Sequence, residues 1–183
     1  QKPVAGTIRN QVLEGRVSGM DVSGNRHYTT EFITRGFTPV VSDEVIRHRS
    51  LERSVLTLNE NMDLKDNATL VPGDTPGATK ILAKAEDGLP LHVGLDINNF
   101  GFANISRYRF GGTMDVGNVL VQGSVLTVNG IIGDHPERLY YGGFNYSLPV
   151  NGWGTRLIVG ASLRRFEVGG ALEPRDINSR GKR

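Results

Sequence analysis

The sequence predicts two units in series: a small α+β domain, then about five antiparallel β-strands of the kind that cross a membrane. Three observations predict it. Glycine is unevenly placed, with 7 of the 24 in residues 1–87 and 17 in residues 88–183. Charge runs the other way, with 23 of the 40 charged residues before position 88. From residue 89 onward no helical period is left, and apolar residues recur at every second position. The boundary therefore falls near Asp87–Gly88.

The first unit begins with strands. In "GTIRNQVLEG" (6–15), Ile8, Asn10 and Val12 alternate with Arg9, Gln11 and Leu13, and Gly15 ends the run. "RVSGMDVSGN" (16–25) puts Val17, Met20 and Val22 in a second strand, with turn residues Ser23-Gly24-Asn25 behind it. A short helix follows at about 30–36, capped by Thr29 or Thr30, with Phe32 and Ile33 inward and Gly36 at its end. A longer helix is expected over 49–61. Ser50 is its candidate N-cap, and Leu51, Val55 and Leu58 fall on one face. Two extended arms, about 64–71 and 78–86, flank the loop Pro72–Gly77 and read as a charged hairpin. The order is β-α-α-β-β.

The second unit repeats one pattern. Leu91, Val93, Leu95 and Ile97 alternate with His92, Gly94, Asp96 and Asn98. Tyr108, Phe110, Gly112, Met114 and Val116 alternate with Arg107, Arg109, Gly111, Thr113 and Asp115. Similar runs cover 125–132, 140–148 and 156–164. Strands of roughly 9–12 residues are long enough to cross a bilayer when tilted. A soluble barrel with its apolar face inward would alternate in the same way. Charges opposite the aromatics and glycines on both faces favour the membrane.

Composition excludes several classes. A formal charge of +2 with no Lys/Arg stripe gives no footprint for nucleic acid, and the basic end "SRGKR" reads as a charged tail. The absence of cysteine removes disulfides and thiolate metal sites. There is no signal-peptide pattern and no run of about 18 or more apolar residues, hence no transmembrane helix. His27, His48, His92 and His135 share no metal spacing. The Gly pairs at 111–112 and 142–143 open no helix, so no phosphate site is expected. No nucleophile–base arrangement stands out, so neither an enzyme nor a cofactor is expected. The start "QKPVAG" reads as a mature or excised piece of something longer.

Several segments together resemble the outer-membrane transporters of two-partner secretion, the TpsB-type haemolysin secretion/activation family. "GTIRNQVLEGRVSGMDVSGNRHY" resembles the junction between two periplasmic POTRA domains, and "SLERSVLTLNEN" the second POTRA helix. "LVPGDTPGATKILAKAED" resembles the last POTRA hairpin. "GLDINNFG" and "SRYRFGG" resemble the first two barrel strands, and "LYYGGFNYSLPVNGWG" the fourth strand and the turn behind it. The resemblance covers about residues 5–168. It implies the end of a preceding POTRA domain at 1–15, a POTRA domain at 16–87 and the N-terminal part of an outer-membrane β-barrel at 88–168. The tail 169–183 matches nothing. The family's barrel has sixteen strands and about five are present, so a fragment or a truncated product is expected.

The resemblance also implies a function. The POTRA region, in the periplasm, captures an unfolded exoprotein that is β-helical once folded, and the barrel, in outer-membrane lipid, exports it. The alternatives are an outer-membrane assembly factor of the same superfamily, or a soluble periplasmic barrel that binds a ligand. The candidate client site is the hairpin arm Leu64, Lys65, Asp66, Asn67, Ala68, Thr69, Leu70 and Val71, an edge that accepts an extended strand. Its other reading is an edge merely kept from aggregation by Lys65 and Asp66. Asp96, Arg107, Arg109 and Asp115 are the candidate lumen-facing residues. The arginines either touch the passing chain or pair with Asp96 or Asp115. Only Asp87–Pro90 separates the two units, and it reads as a hinge.

Overall fold

The computed structural model describes residues 15–43, 45–168 and 178–182. The strand expected over 6–15 lies outside them except for Gly15. The first sheet has the order β1-β3-β2. β1 (Arg16–Ser23) runs parallel to β3 (Ala78–Asp87), which pairs antiparallel with β2 (Leu64–Pro72). The register of β1 on β3 skips Ser18, so Val17 opposes Thr79 and Gly19 opposes Lys80. This bulge explains why Val17 and Met20, three residues apart, both pack against the core.

Gly24 ends β1 with φ +85°. A Cβ there would lie 2.3 Å from the carbonyl oxygen of Ala85, so Gly24 lets β1 leave the sheet close over β3. Gly24→Ala should therefore cost about 1–3 kcal/mol from backbone strain alone. Amide hydrogen exchange in β1 and β3 should accelerate by roughly tenfold or more. Unchanged protection would rule this strain out.

Three helices cover one side of the sheet. α1 (Thr30–Gly36) is capped by Thr29, whose Oγ1 accepts from the Phe32 N–H at 3.2 Å. α2 (Thr38–Val41) was not expected, because four residues are too few to show a period. Pro39 sits in its first turn, where a missing N–H costs nothing. α3 spans His48–Asn59, so Ser50 is not its N-cap. The N-cap is Arg47, three residues earlier, and Ser50 instead donates to Asp43 Oδ2 at 2.8 Å. The core gathers Tyr28, Ile33, Phe37, Val40, Leu51, Leu58, Leu64, Ile81, Ala83 and Ala85.

The second sheet is an antiparallel meander, β4-β5-β6-β7-β8-β9. Its strands are β4 (Leu91–Asn98), β5 (Arg109–Gly117), β6 (Val125–Gly133), β7 (Leu139–Pro149), β8 (Arg156–Glu167) and β9 (Asn178–Lys182). β9 pairs with β8 and adds a sixth strand in the tail that the sequence left unassigned. Its "NSRGK" has no apolar alternation to betray it. β4 and β9 are the two edges.

Register aligns like with like across the meander. One row runs Val93–Met114–Val128–Phe144–Ala161, and the next runs Leu95–Gly112–Gly130–Gly142–Leu163. The opposite face carries the row His92–Asp115–Thr127–Asn145–Gly160. The apolar face is open, with Leu95 85% and Ile97 75% exposed. Among the described residues of β4–β8, every exposed large hydrophobic residue lies on this face except Ile131 and Ile158. An apolar surface this extensive marks a membrane or protein interface.

Candidate functional site

β2 is one edge of the first sheet, as the hairpin pattern led us to expect, but only part of it is open. The Asn59 side chain sits on the edge like a short piece of strand. Its Nδ2 donates to the Asp66 carbonyl at 3.1 Å, and its Oδ1 accepts from the Asp66 N–H. Residues of an antiparallel strand alternate in which neighbour their peptide groups face. The peptide groups of Asp66 thus point away from β3, and so do those of Leu64, Ala68 and Leu70.

Other bonds agree with this alternation. The Leu64 N–H donates outward to the Asn61 carbonyl at 3.3 Å. Across the hairpin, Gly73 N–H donates to Ala78 and Gly88 N–H to Asp63, on the opposite parity. Pro72, with no N–H to offer, falls on the outward parity. With Leu64 and Asp66 occupied, Ala68 and Leu70 remain as the outward-facing peptides of the edge. Side chains divide the same strand differently: Leu64 and Asp66 are buried, Ala68 and Val71 are half-buried, and Lys65, Asn67, Thr69 and Leu70 are exposed.

Asp66 is an anomaly within the edge. It is fully buried, and neither carboxylate oxygen has a hydrogen-bond partner among the described residues. Burial pushes its carboxyl up to about 6.

On the second sheet, Asp96, Arg109 and Asp115 share the polar face. Asp96 stands over Gly111, where a Cβ would collide with its carboxylate, and accepts from Asn98 Nδ2 at 3.0 Å. Asp115 accepts from Thr127 Oγ1 at 2.6 Å. Arg107 lies before β5, and its carbonyl accepts from the Gly101 N–H at 3.2 Å. Among the described residues neither arginine is ion-paired with Asp96 or Asp115. Asp96 lies opposite Gly111 rather than an arginine, and Thr127 satisfies Asp115.

The sequence missed the joint between the sheets. Asp87, read as part of a hinge, is a clamp. Its side chain is fully buried and accepts from three successive N–H groups, Arg26, His27 and Tyr28, at 2.8 to 3.0 Å. Burial alone would push this carboxyl up. The bonds from Arg26, Tyr28 and His27 outweigh that and hold it below the usual carboxylate range. Nearby, the Tyr28 hydroxyl donates to the Met62 carbonyl at 2.6 Å. Burial and the charge of Asp63 push that phenol up to about 12.

Two turns of the second sheet, 118–124 and 150–155, meet α1 and α3. Thr29 N–H donates to Gln122 Oε1 at 3.2 Å, and Arg53 lies 5.8 Å over the Trp153 ring. Gly123 (φ +76°) has no side chain to strike Phe32, whose ring would lie 2.6 Å from a Cβ. Arg156 reaches from β8 to Asn61, behind α3, at 3.3 Å. The described residues include no helix long and apolar enough to cross a membrane, which says nothing of crossing by strands.

No family model matches the chain. The heme/hemopexin transporter protein HuxB of Haemophilus influenzae (strain 86-028NP) is 25% identical over 166 residues, 90% of this chain and 29% of that protein. The outer membrane transporter CdiB of Dickeya dadantii is 23% identical over 114 residues, 62% of this chain and 20% of that protein. In sequence the chain is similar to outer-membrane transporters of the TpsB type. The solved structure of CdiB from Acinetobacter baumannii superimposes with a TM-score of 0.64 at 13% identity, over 91% of this chain and 31% of that one. That likeness is one of fold. The chain spans less than a third of the length of the TpsB-type proteins it matches.

Proposed function

We propose that the chain is the joining segment of a two-partner secretion translocator in the outer membrane. Residues 16–87 act as a periplasmic POTRA domain that captures an unfolded exoprotein. Residues 88–168, with β9, form the first strands of the exporting barrel. The observation that carries the reading is the open apolar face of the second sheet, directly continuous with a domain that has a free strand edge. Lipid covers that apolar face, and the polar face with Asp96, Arg109 and Asp115 lines the lumen. Arg107 belongs to the same set, at the mouth of a loop. The client pairs with the open part of the edge, Ala68 to Val71, by main-chain hydrogen bonds. The curated relatives are transporters, which does not favour an assembly factor. Exposed apolar rows do not suit a soluble barrel.

Expressed alone, residues 16–87 should melt cooperatively, show mixed α/β circular dichroism and bind an unfolded exoprotein segment. They hold a complete core of their own. A disordered spectrum would sink the boundary. A folded domain that ignores the segment would sink the capture step.

A further inference from the structure

We propose that Arg156 is a positioning residue that holds the client-accepting edge in register with the barrel mouth. The inference rests on the export reading above. Arg156 opens β8 opposite Pro149, and so shares the polar face with Ser147 and Ile158. Its guanidinium uses three donors in three directions. Nε donates to Ser147 Oγ at 3.0 Å, on the neighbouring strand. Nη2 donates to the Gly123 carbonyl at 2.6 Å, in the turn that touches Phe32. Nη1 donates to Asn61 Oδ1 at 3.3 Å, in the first unit.

Asn61 is the point that matters for the edge. It is 8% exposed, and its Nδ2 donates to the Leu58 carbonyl at 2.9 Å and to that of Thr57 at 3.3 Å. It thereby closes the end of α3. Its own carbonyl takes the first outward N–H of β2, that of Leu64. Arg156 thus grips the residue from which the accepting strand starts. Other bonds across the joint, from Thr29 to Gln122, Arg53 to Trp153 and Asn118 to His27, are exposed, and water competes for them. The Arg156 contacts are partly buried and fix an angle as well as a distance. Arg156 has no carboxylate partner among the described residues, so its charge alone is not what the site uses. The planar fork is, and a lysine cannot reproduce it.

This sequence has no cysteine, so two introduced ones report without background once any elsewhere in the full transporter are replaced. Spin labels at Asp21→Cys and Val159→Cys, in the full transporter carrying this sequence, give the distance between the two sheets. The parent should show one narrow distance distribution. Arg156→Gln and Arg156→Lys should both broaden it and lower export by roughly tenfold, the loss expected when bonds from a charged donor go. Heat-modifiable migration of the barrel and binding of the exoprotein segment should stay at the parent's level. Ser147→Ala, which spares both long-range bonds, should resemble the parent. An unchanged distribution in both Arg156 variants overturns the proposal, and so does a broadened one with full export. The distances are read without exoprotein. A parent that is narrow yet binds no segment therefore counts against the export reading and leaves the positioning result standing.

Discussion

Ala68→Pro should leave the transporter folded and cut capture of an unfolded exoprotein segment by tenfold or more, whereas Thr69→Pro should unfold the first sheet. The two neighbours differ because their peptides face opposite ways. Ala68 points its N–H to the open edge, on the parity of Asp66, whose peptide is held by Asn59. Pro72 already shows that this parity tolerates proline at the strand's end. At Ala68 the native fold loses no ladder bond, but an incoming strand loses a donor and meets a fixed φ. Thr69 opposes Leu82 on the parity that bonds to β3, so proline there removes a bond the fold needs. Lys65→Ala should change little, since its side chain is exposed and strand addition reads the main chain. Segment binding by fluorescence anisotropy, with circular dichroism alongside, separates these outcomes. Parent-like binding by a folded Ala68→Pro protein would remove this edge from the mechanism.

The first unit should lose stability as the pH rises from about 4 to about 6, and Asp66→Asn should abolish that loss. The sign follows from protonation. An Asp in the unfolded chain titrates near 3.8, and burial moves Asp66 up to about 6. Between those values the folded state binds more protons than the unfolded one, so stability falls with rising pH and the loss is complete above 6. A shift of about two units corresponds to about 3 kcal/mol. Asn keeps the shape and cannot ionise. Near pH 7.5 the variant should hold the amides of β2 and β3 roughly a hundredfold better against exchange than the parent. At pH 4.5 the two should be close. A parent with no such slope would mean that Asp66 finds a partner in solution. The Asp87 clamp does not confuse the reading. Its carboxyl is held low, so its contribution is lost only below the normal aspartate range, in a separate window.

Much of the fold was legible because side-chain alternation is local. Period two gave β4 to β8 and told their faces apart, and the Pro/Gly loop at 72–77 gave the hairpin of β2 and β3. The odd spacing of Val17 and Met20 was the trace of a bulge. What failed was either too short or too polar to carry a period: α2 is a single turn, and β9 reads "NSRGK". Ser50 misled because a serine before an apolar run looks like a cap, while its true partner, Asp43, lies seven residues back. The candidate edge was visible as a strand. Which of its peptides faced outward was not, since that depends on register and on Asn59. The joint was invisible for the same reason. The groups Arg156 holds are at 61, 123 and 147, and those that hold Asp87 are at 26, 27 and 28. No local pattern connects them.

The Asp87 clamp makes the joint a fulcrum. β3 ends at Asp87 and β4 starts at Leu91, so on the export reading a tug on a client at β2 reaches the second sheet along these few residues and across the side-chain bonds of the joint. Three N–H groups grip one carboxylate side by side, and they share a load that would part single bonds one after another. A loose linker would absorb the motion of the first unit. On the export reading, a joint fixed at Asp87 and at Arg156 would instead pass that motion to the turns at 118–124 and 150–155.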